Sequence, residues 1–229
     1  MKQFTISTRT IGEAWIRSID YVLERGHSYF DEDVEILEVT GLSLKIDNPS
    51  MNDEIVEKFG DHLVIEHTLS KFEKGVKMQN RPFTYGDRIY CKNGVDQFEW
   101  LVDRLTRKPE TKSATISLLD EGDKNPNLPC LSIIDAKIRD GILNLQFFFR
   151  SQNIVGRQYA NLLALAKFQS KLSARLSVDQ GFLAGYVASA HIYNYDFDFA
   201  KNIHDSSGTL KDLFYSCGPK SIRNNPYFK

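Results

Sequence analysis

The chain has 229 residues, 41% of them apolar and 26% charged, with 15 Phe and 10 Tyr. That apolar and aromatic mass suffices for a core and excludes whole-chain disorder, and the length fits one large domain covering 1–229. Lys and Arg number 29 against 30 Asp and Glu, a net charge of −1; this argues against a broad basic face for nucleic acid and leaves room for a small cationic pocket.

No apolar run approaches the roughly 18 residues a membrane span requires, so no membrane partner is expected. Met1 to Thr5 lack an apolar h-region, so no secretory signal is expected. Cys91, Cys130 and Cys217 stand 39 and 87 residues apart with no C-x-x-C pair. That odd, sparse set suits a reducing cytoplasm rather than a disulfide scaffold or a zinc ribbon. No metal site is expected.

Taken in chain order, Ile11, Trp15, Ile16, Ile19, Val22 and Leu23 recur at helical spacing and predict an amphipathic helix over 11–24. Gly12 is a poor helix former, which places the start just after it. Residues 34–47 are rich in Val, Ile and Leu and stop at Asn48-Pro49, a strand ended by its proline. Residues 50–80 are charged and partly helical. Residues 94–106 again carry helical spacing, 114–119 read as a short strand, and 120–129 read as a loop.

The next segment says most. Residues 130–139 and 142–150 are rich in β-formers and flank Asp140-Gly141, a favoured pair for a type I′ hairpin turn. With Arg139 facing Ile142 and no bulge along the ladder, Cys130 faces Ser151 and Leu131 faces Arg150, about 5 Å apart at Cα. Gln158 to Leu176 form a helix that is apolar around most of its surface, with Asn161 set in the apolar run. Phe182 to Tyr195 are apolar and aromatic and carry Ser189, His191 and Tyr193. On a strand, His191 and Tyr193 share a face.

These residues offer a cysteine site. A thiolate is stabilised by nearby positive charge, and Arg150 stands where the hairpin brings it to Cys130. The same guanidinium can clamp a phosphate, with Ser151 adding a hydroxyl. The plain alternative is an ordinary buried thiol, the class in which Cys91 and Cys217 fall. The Asn161 amide offers a donor and an acceptor side by side, as an edge such as that of uracil requires, or it bonds within its own helix.

The run Pro129-Cys130, Arg150-Ser151, Asn161-Leu162-Leu163-Ala164 and Ala190-His191-Ile192-Tyr193 resembles the thymidylate synthase family at its dispersed, fixed spacing, and Tyr85-Gly86 resembles the family's Tyr-Gly turn. The resemblance covers residues 80–195 well and the first 80 poorly. It implies an α+β fold, a mixed sheet packed with helices in a single domain. It implies a methyltransferase of dTMP biosynthesis that converts dUMP through a covalent cysteine adduct. Cys130 is then the nucleophile, Arg150 and Ser151 hold the phosphate, and Asn161 reads the uracil edge. His191 and Tyr193 bind the deoxyribose 3′-hydroxyl, and Tyr85 joins the network near the base.

The departures carry information too. The family's phosphate-binding Arg-Arg pair, donated across subunits, falls near Lys112-Ser113, where no such pair stands, so monomer and homodimer both remain open. Asn153 replaces the usual Asp of Arg-Ser-x-Asp, and Ser189 stands where an Asp often precedes the His by two. Candidates for the assisting glutamate are Glu54, Glu57 and Glu66. The chain is similar to the archaeal-type branch, with a reduced pterin as one-carbon donor, either methylene-tetrahydrofolate or methylene-tetrahydromethanopterin. Two other functions remain: a pyrimidine nucleotide hydroxymethylase, and a nucleotide-binding protein that has lost catalysis.

Overall fold

A computed structural model describes residues 5–78, 82–120, 122 and 128–205. Most of the expected loop over 120–129, and Cys217, lie outside the described residues. The fold is α+β, a mixed sheet packed against helices. The strands are β1 (Thr5–Thr8), β2 (His27–Asp31), β3 (Val34–Ile46), β4 (Thr115–Ser117), β5 (Leu131–Arg139), β6 (Ile142–Asn153) and β7 (Asp179–Tyr193). They run in the order β1-β3-β7-β6-β5-β4, with β2 also paired to β3. The β1/β3 and β6/β7 pairs are parallel and the others antiparallel.

Helix α1 (Ile11–Arg25) begins one residue before Gly12, earlier than its propensity predicts. A capping box sets that start: Thr10 accepts the Glu13 N–H, and Glu13 accepts the Thr10 N–H. The short helix α2 (Glu54–Phe59) and α3 (His62–Lys71) account for the charged stretch after the first long strand. The helices α4 (Tyr85–Tyr90) and α5 (Gln97–Arg107) follow. Helix α6 (Ile154–Leu176) crosses from β6 to the parallel β7 and starts four residues earlier than periodicity predicts. Asn153 ends the strand and caps the helix, its Oδ1 accepting the Gly156 N–H at 2.8 Å. After β7 a short 3-10 turn leads into α7 (Phe197–Asp205).

The core joins α1 and α6 to the sheet. Trp15 donates its indole N–H to the Ile154 carbonyl at 3.0 Å and packs on Tyr159, ring centroids 4.5 Å apart. Both side chains are fully buried, and the indole bond keeps its polar edge satisfied there.

Two irregularities in the sheet position the site. The hairpin turn is as expected: Asp140 and Gly141 both have positive φ, 53° and 76°, and Arg139 faces Ile142. The ladder holds this register to Ile133/Phe148 and then slips at Ser132, so Leu131 faces Phe149. The expected pairing of Leu131 with Arg150 is therefore wrong by one residue; a bulge, not visible in residue spacing, intervenes. The second irregularity spans three strands. Burial steps by three residues, not two, from Val39 to Leu42, from Phe149 to Gln152 and from Val187 to Ala190. Val39, Ala190 and Gln152 are lateral partners, as are Leu42, Val187 and Phe149. Between them the pairing skips Gly41, Ala188 and Arg150, and of the three Gly41 alone takes a positive φ, 88°. Beyond the offset, Glu38, Ser151, Asn153, Ser189, His191 and Tyr193 alternate with the buried Val39, Gln152, Ala190 and Ile192, and so share the opposite face.

Candidate active site

Cys130 immediately precedes β5 and is half-buried against the core. Its Sγ lies 3.5 Å from the Ser151 Oγ on β6. Its carbonyl accepts the Arg150 N–H at 2.8 Å, so the slipped ladder sets Cys130 against Arg150 rather than Ser151, while the thiol itself still meets the Ser151 hydroxyl. The Arg150 side chain is exposed and turns back along the cysteine segment: Nη2 donates to the Leu128 carbonyl at 2.7 Å and Nε to the Pro129 carbonyl at 3.2 Å. The guanidinium thus braces the turn that delivers the thiol and stays at the mouth of the site.

Tyr85 is the first residue of α4, behind the capping box of Thr84 and Asp87. Its hydroxyl accepts the Leu131 N–H at 3.3 Å, and its ring packs on Phe72 at 4.8 Å. Gly86 permits this approach, because a Cβ there would sit 2.0 Å from the Glu73 carbonyl oxygen. Tyr85 therefore fixes the backbone one residue past the thiol.

On β7, His191 is buried and its ring stands edge-on to Tyr193, centroids 5.1 Å apart. The shared face expected for them holds. Asn153 is the lateral partner of His191, and Ser151 that of Ser189. Burial pushes the His191 imidazole below its ordinary value of 6.5, with the Arg150 charge adding to the effect, against the opposing pull of Asp31 and Glu38. The ring is held neutral. Burial pushes the Tyr193 phenol up, reinforced by its hydrogen bond to Asp31.

Six of the seven expected site residues thus gather at one end of the sheet: Tyr85, Cys130, Arg150, Ser151, His191 and Tyr193. Asn161 is on α6, half-buried, eight residues and about 12 Å of helix beyond the Asn153 cap. Its amide makes no hydrogen bond among the described residues, which sets aside the helix-internal alternative. Glu54, Glu57 and Glu66 are all exposed on α2 and α3. Cys91, expected among buried thiols, is exposed at the C-terminal cap of α4, where the short helix ends at the surface. Near the missing arginine pair, the Ser113 hydroxyl accepts from Arg104, so α5 brings a guanidinium to that place.

Sequence reading missed Asp31 and Glu38. For Glu38 the signal available was an acidic residue inside the largely apolar β3, whereas Asp31 ends the exposed β2 and carried none. Among the described residues no group of three or more His, Cys, Asp or Glu is arranged to hold a metal ion, and no helix is long and apolar enough to cross a membrane.

Comparison with known proteins places the chain in a family. The family described as thymidylate synthase matches residues 54–207. A protein of Methanosarcina acetivorans that carries a provisional thymidylate synthase name is 30% identical over 211 residues, covering 86% of this chain and 93% of its own. Proteins with the same provisional name from Methanococcoides burtonii and Methanothermobacter marburgensis are 31% and 27% identical over 204 and 222 residues, covering 86% and 87% of this chain and 93% and 97% of theirs. These relationships put the chain among transferases of nucleotide metabolism. It belongs to the thymidylate synthase family, on its archaeal-type branch.

Proposed function

We propose that the protein converts dUMP to dTMP by covalent catalysis at Cys130, with a reduced pterin as second substrate. The observation that supports this best is the 3.5 Å approach of the Cys130 thiol to the Ser151 hydroxyl, on the strand beside the one that carries His191 and Tyr193. A hydroxyl beside the sulfur donates to a thiolate, and the Arg150 guanidinium at the same segment adds positive charge. The sulfur adds to C6 of the pyrimidine. The enolate so formed takes up a one-carbon unit at C5, the C5 proton departs, and the C6–S bond breaks. Arg150 holds the 5′-phosphate, joined by the Ser151 hydroxyl once the sulfur has added to C6 and no longer takes its proton, and the Asn161 amide pairs with the uracil O4 and N3–H. Tyr85 holds the Leu131 amide and with it the backbone from which the sulfur attacks.

The pterin supplies the carbon unit and the hydride that completes the methyl group. Asn153 fits such a ligand: its carbonyl is spent on the Gly156 N–H, which leaves its NH₂ to donate to a pterin carbonyl oxygen. Methylene-tetrahydrofolate and methylene-tetrahydromethanopterin both carry that oxygen, and turnover with each in turn identifies the donor. The chain works as a soluble cytoplasmic enzyme without a metal.

Incubation with 5-fluoro-dUMP and the pterin donor tests the reading. Mass spectrometry is expected to find the nucleotide on the Cys130 peptide in the native protein and no adduct in Cys130→Ser. Tritium release from C5-labelled dUMP that survives Cys130→Ser in full would overturn it, and a product carrying hydroxymethyl in place of methyl would reassign the second half of the reaction.

A further inference from the structure

The hairpin of β2 and β3 brings two carboxylates to the His191–Tyr193 side of the site. Glu38 is the lateral partner of His191, and its Oε1 accepts the Ser189 hydroxyl. A carboxylate only accepts, so the Ser189 proton is spent on Glu38, and the Ser189 oxygen is left to accept from the His191 Nδ1, 3.4 Å away. That partner requires the proton of the neutral ring on Nδ1, which leaves Nε2 with a bare lone pair. Asp31, the last residue of β2, accepts the Tyr193 hydroxyl at 2.9 Å. With its proton committed, the phenol oxygen also presents lone pairs alone.

We propose that Asp31 and Glu38 are positioning residues that lock Tyr193 and His191 as paired hydrogen-bond acceptors, so that this subsite selects a ligand hydroxyl acting as donor. The inference deepens the nucleotide reading above and rests on it for the ligand, whose deoxyribose 3′-hydroxyl is the donor. A hydrogen, an ether or a phosphate at that carbon offers no proton, and the last two set oxygen lone pairs against those of the pocket. Ser189 has a definite part here. The family often carries an acidic residue at that position; this chain carries a hydroxyl and takes the carboxylate from the neighbouring strand.

Two measurements test the lock. The first is the nitrogen NMR spectrum of the His191 ring in the free protein. A neutral ring protonated at Nδ1 is expected in the native chain. In Glu38→Gln, where the amide can donate as well as accept, a mixture of both tautomers is expected. A native ring protonated at Nε2 would overturn the proposal. The second is the ratio of dissociation constants for 2′,3′-dideoxyuridine 5′-monophosphate and dUMP. About tenfold or more is expected for the native protein, falling to within about twofold in Asp31→Asn and Glu38→Gln. If these variants weaken both nucleotides equally and leave the ratio unchanged, the carboxylates act only on stability and the lock is wrong. If the native protein binds neither nucleotide, the nucleotide reading fails, and the ring tautomer of the free protein still decides for or against the lock.

Discussion

The Sγ of Cys130 and the Oγ of Ser151 lie 3.5 Å apart across 21 residues of chain, brought together by one hairpin turn. That hydroxyl is the hydrogen-bond partner of the sulfur among the described residues, so it bears on the thiolate directly. Ser151→Ala is expected to slow adduct formation with 5-fluoro-dUMP by about tenfold, the value of one hydrogen bond to a charged group. Little change in stability is expected, because both side chains are only half-buried and the methyl group keeps the volume. Stopped mixing followed by mass analysis reads the rate, and urea unfolding reads the stability. A rate equal to that of the native protein would remove Ser151 from thiolate stabilisation.

Much of this site is legible in the sequence because it hangs on local rules. Asp140-Gly141 dictates a turn, the turn dictates a register, and the register brings Cys130, Arg150 and Ser151 together. The slip at Ser132 is illegible because it arises where the strand meets the incoming cysteine segment, and no residue type marks it. The in-step offset at Gly41, Arg150 and Ala188 is hidden for a related reason: each strand alone looks like imperfect alternation, and only lateral alignment shows three offsets to be one. The roles of Asp31 and Glu38 depend on strand order, with β3 beside β7, across more than 150 residues of sequence. Periodicity within a segment carries no information about that neighbour.

Gly12 marks a closer contact than its helix propensity implies. Its N–H donates to the buried Asp53 Oδ2 at 2.7 Å, and the other oxygen of Asp53 caps α2 through the Ile55 and Val56 amides. A Cβ at position 12 would stand 2.4 Å from the Ile55 Cβ and 2.5 Å from the Asp53 Oδ1. In an open helix Gly→Ala stabilises by about 1 kcal/mol. Here the two helices must part and strain the Asp53 bonds, so Gly12→Ala is expected to destabilise by about 1–3 kcal/mol. A lowered urea midpoint at unchanged slope checks this; a raised midpoint would show that the contact yields.

His191 makes stability depend on pH. Burial lowers its affinity for a proton in the folded state below the ordinary value of 6.5, so the unfolded chain binds more protons as pH falls past that value. Stability contributed by the neutral ring is complete above pH 6.5 and is lost as pH falls toward the folded-state value. As pH is lowered from about 7.5 to 5.5 the native protein should lose stability through this residue. His191→Gln cannot titrate, so the stability difference between native and variant proteins should narrow as pH falls. Urea unfolding at the two pH values measures the difference, and a gap that stays constant or widens would show that the ring takes up its proton in the folded state.

Asn161 gives the sharpest test of which base the site reads. It projects from a helix whose other faces are mostly buried, and neither the donor nor the acceptor of its amide has a hydrogen-bond partner among the described residues. Uracil presents an acceptor at O4 and a donor at N3–H. Cytosine presents a donor at N4 and an acceptor at N3. A carboxylate keeps the acceptor of the amide and loses its donor. Asn161→Asp therefore leaves O4 of uracil facing an oxygen, and kcat/KM for dUMP is expected to fall by about ten- to a hundredfold, the cost of one unmade hydrogen bond in a desolvated site. The N4 amino group of dCMP gains an acceptor by the same exchange, so its adduct formation at Cys130 should rise. Competition of the two nucleotides for the variant measures both effects at once. If Asn161→Asp lowers activity toward dUMP and dCMP in equal proportion, the amide supports the helix and the base is read by another group.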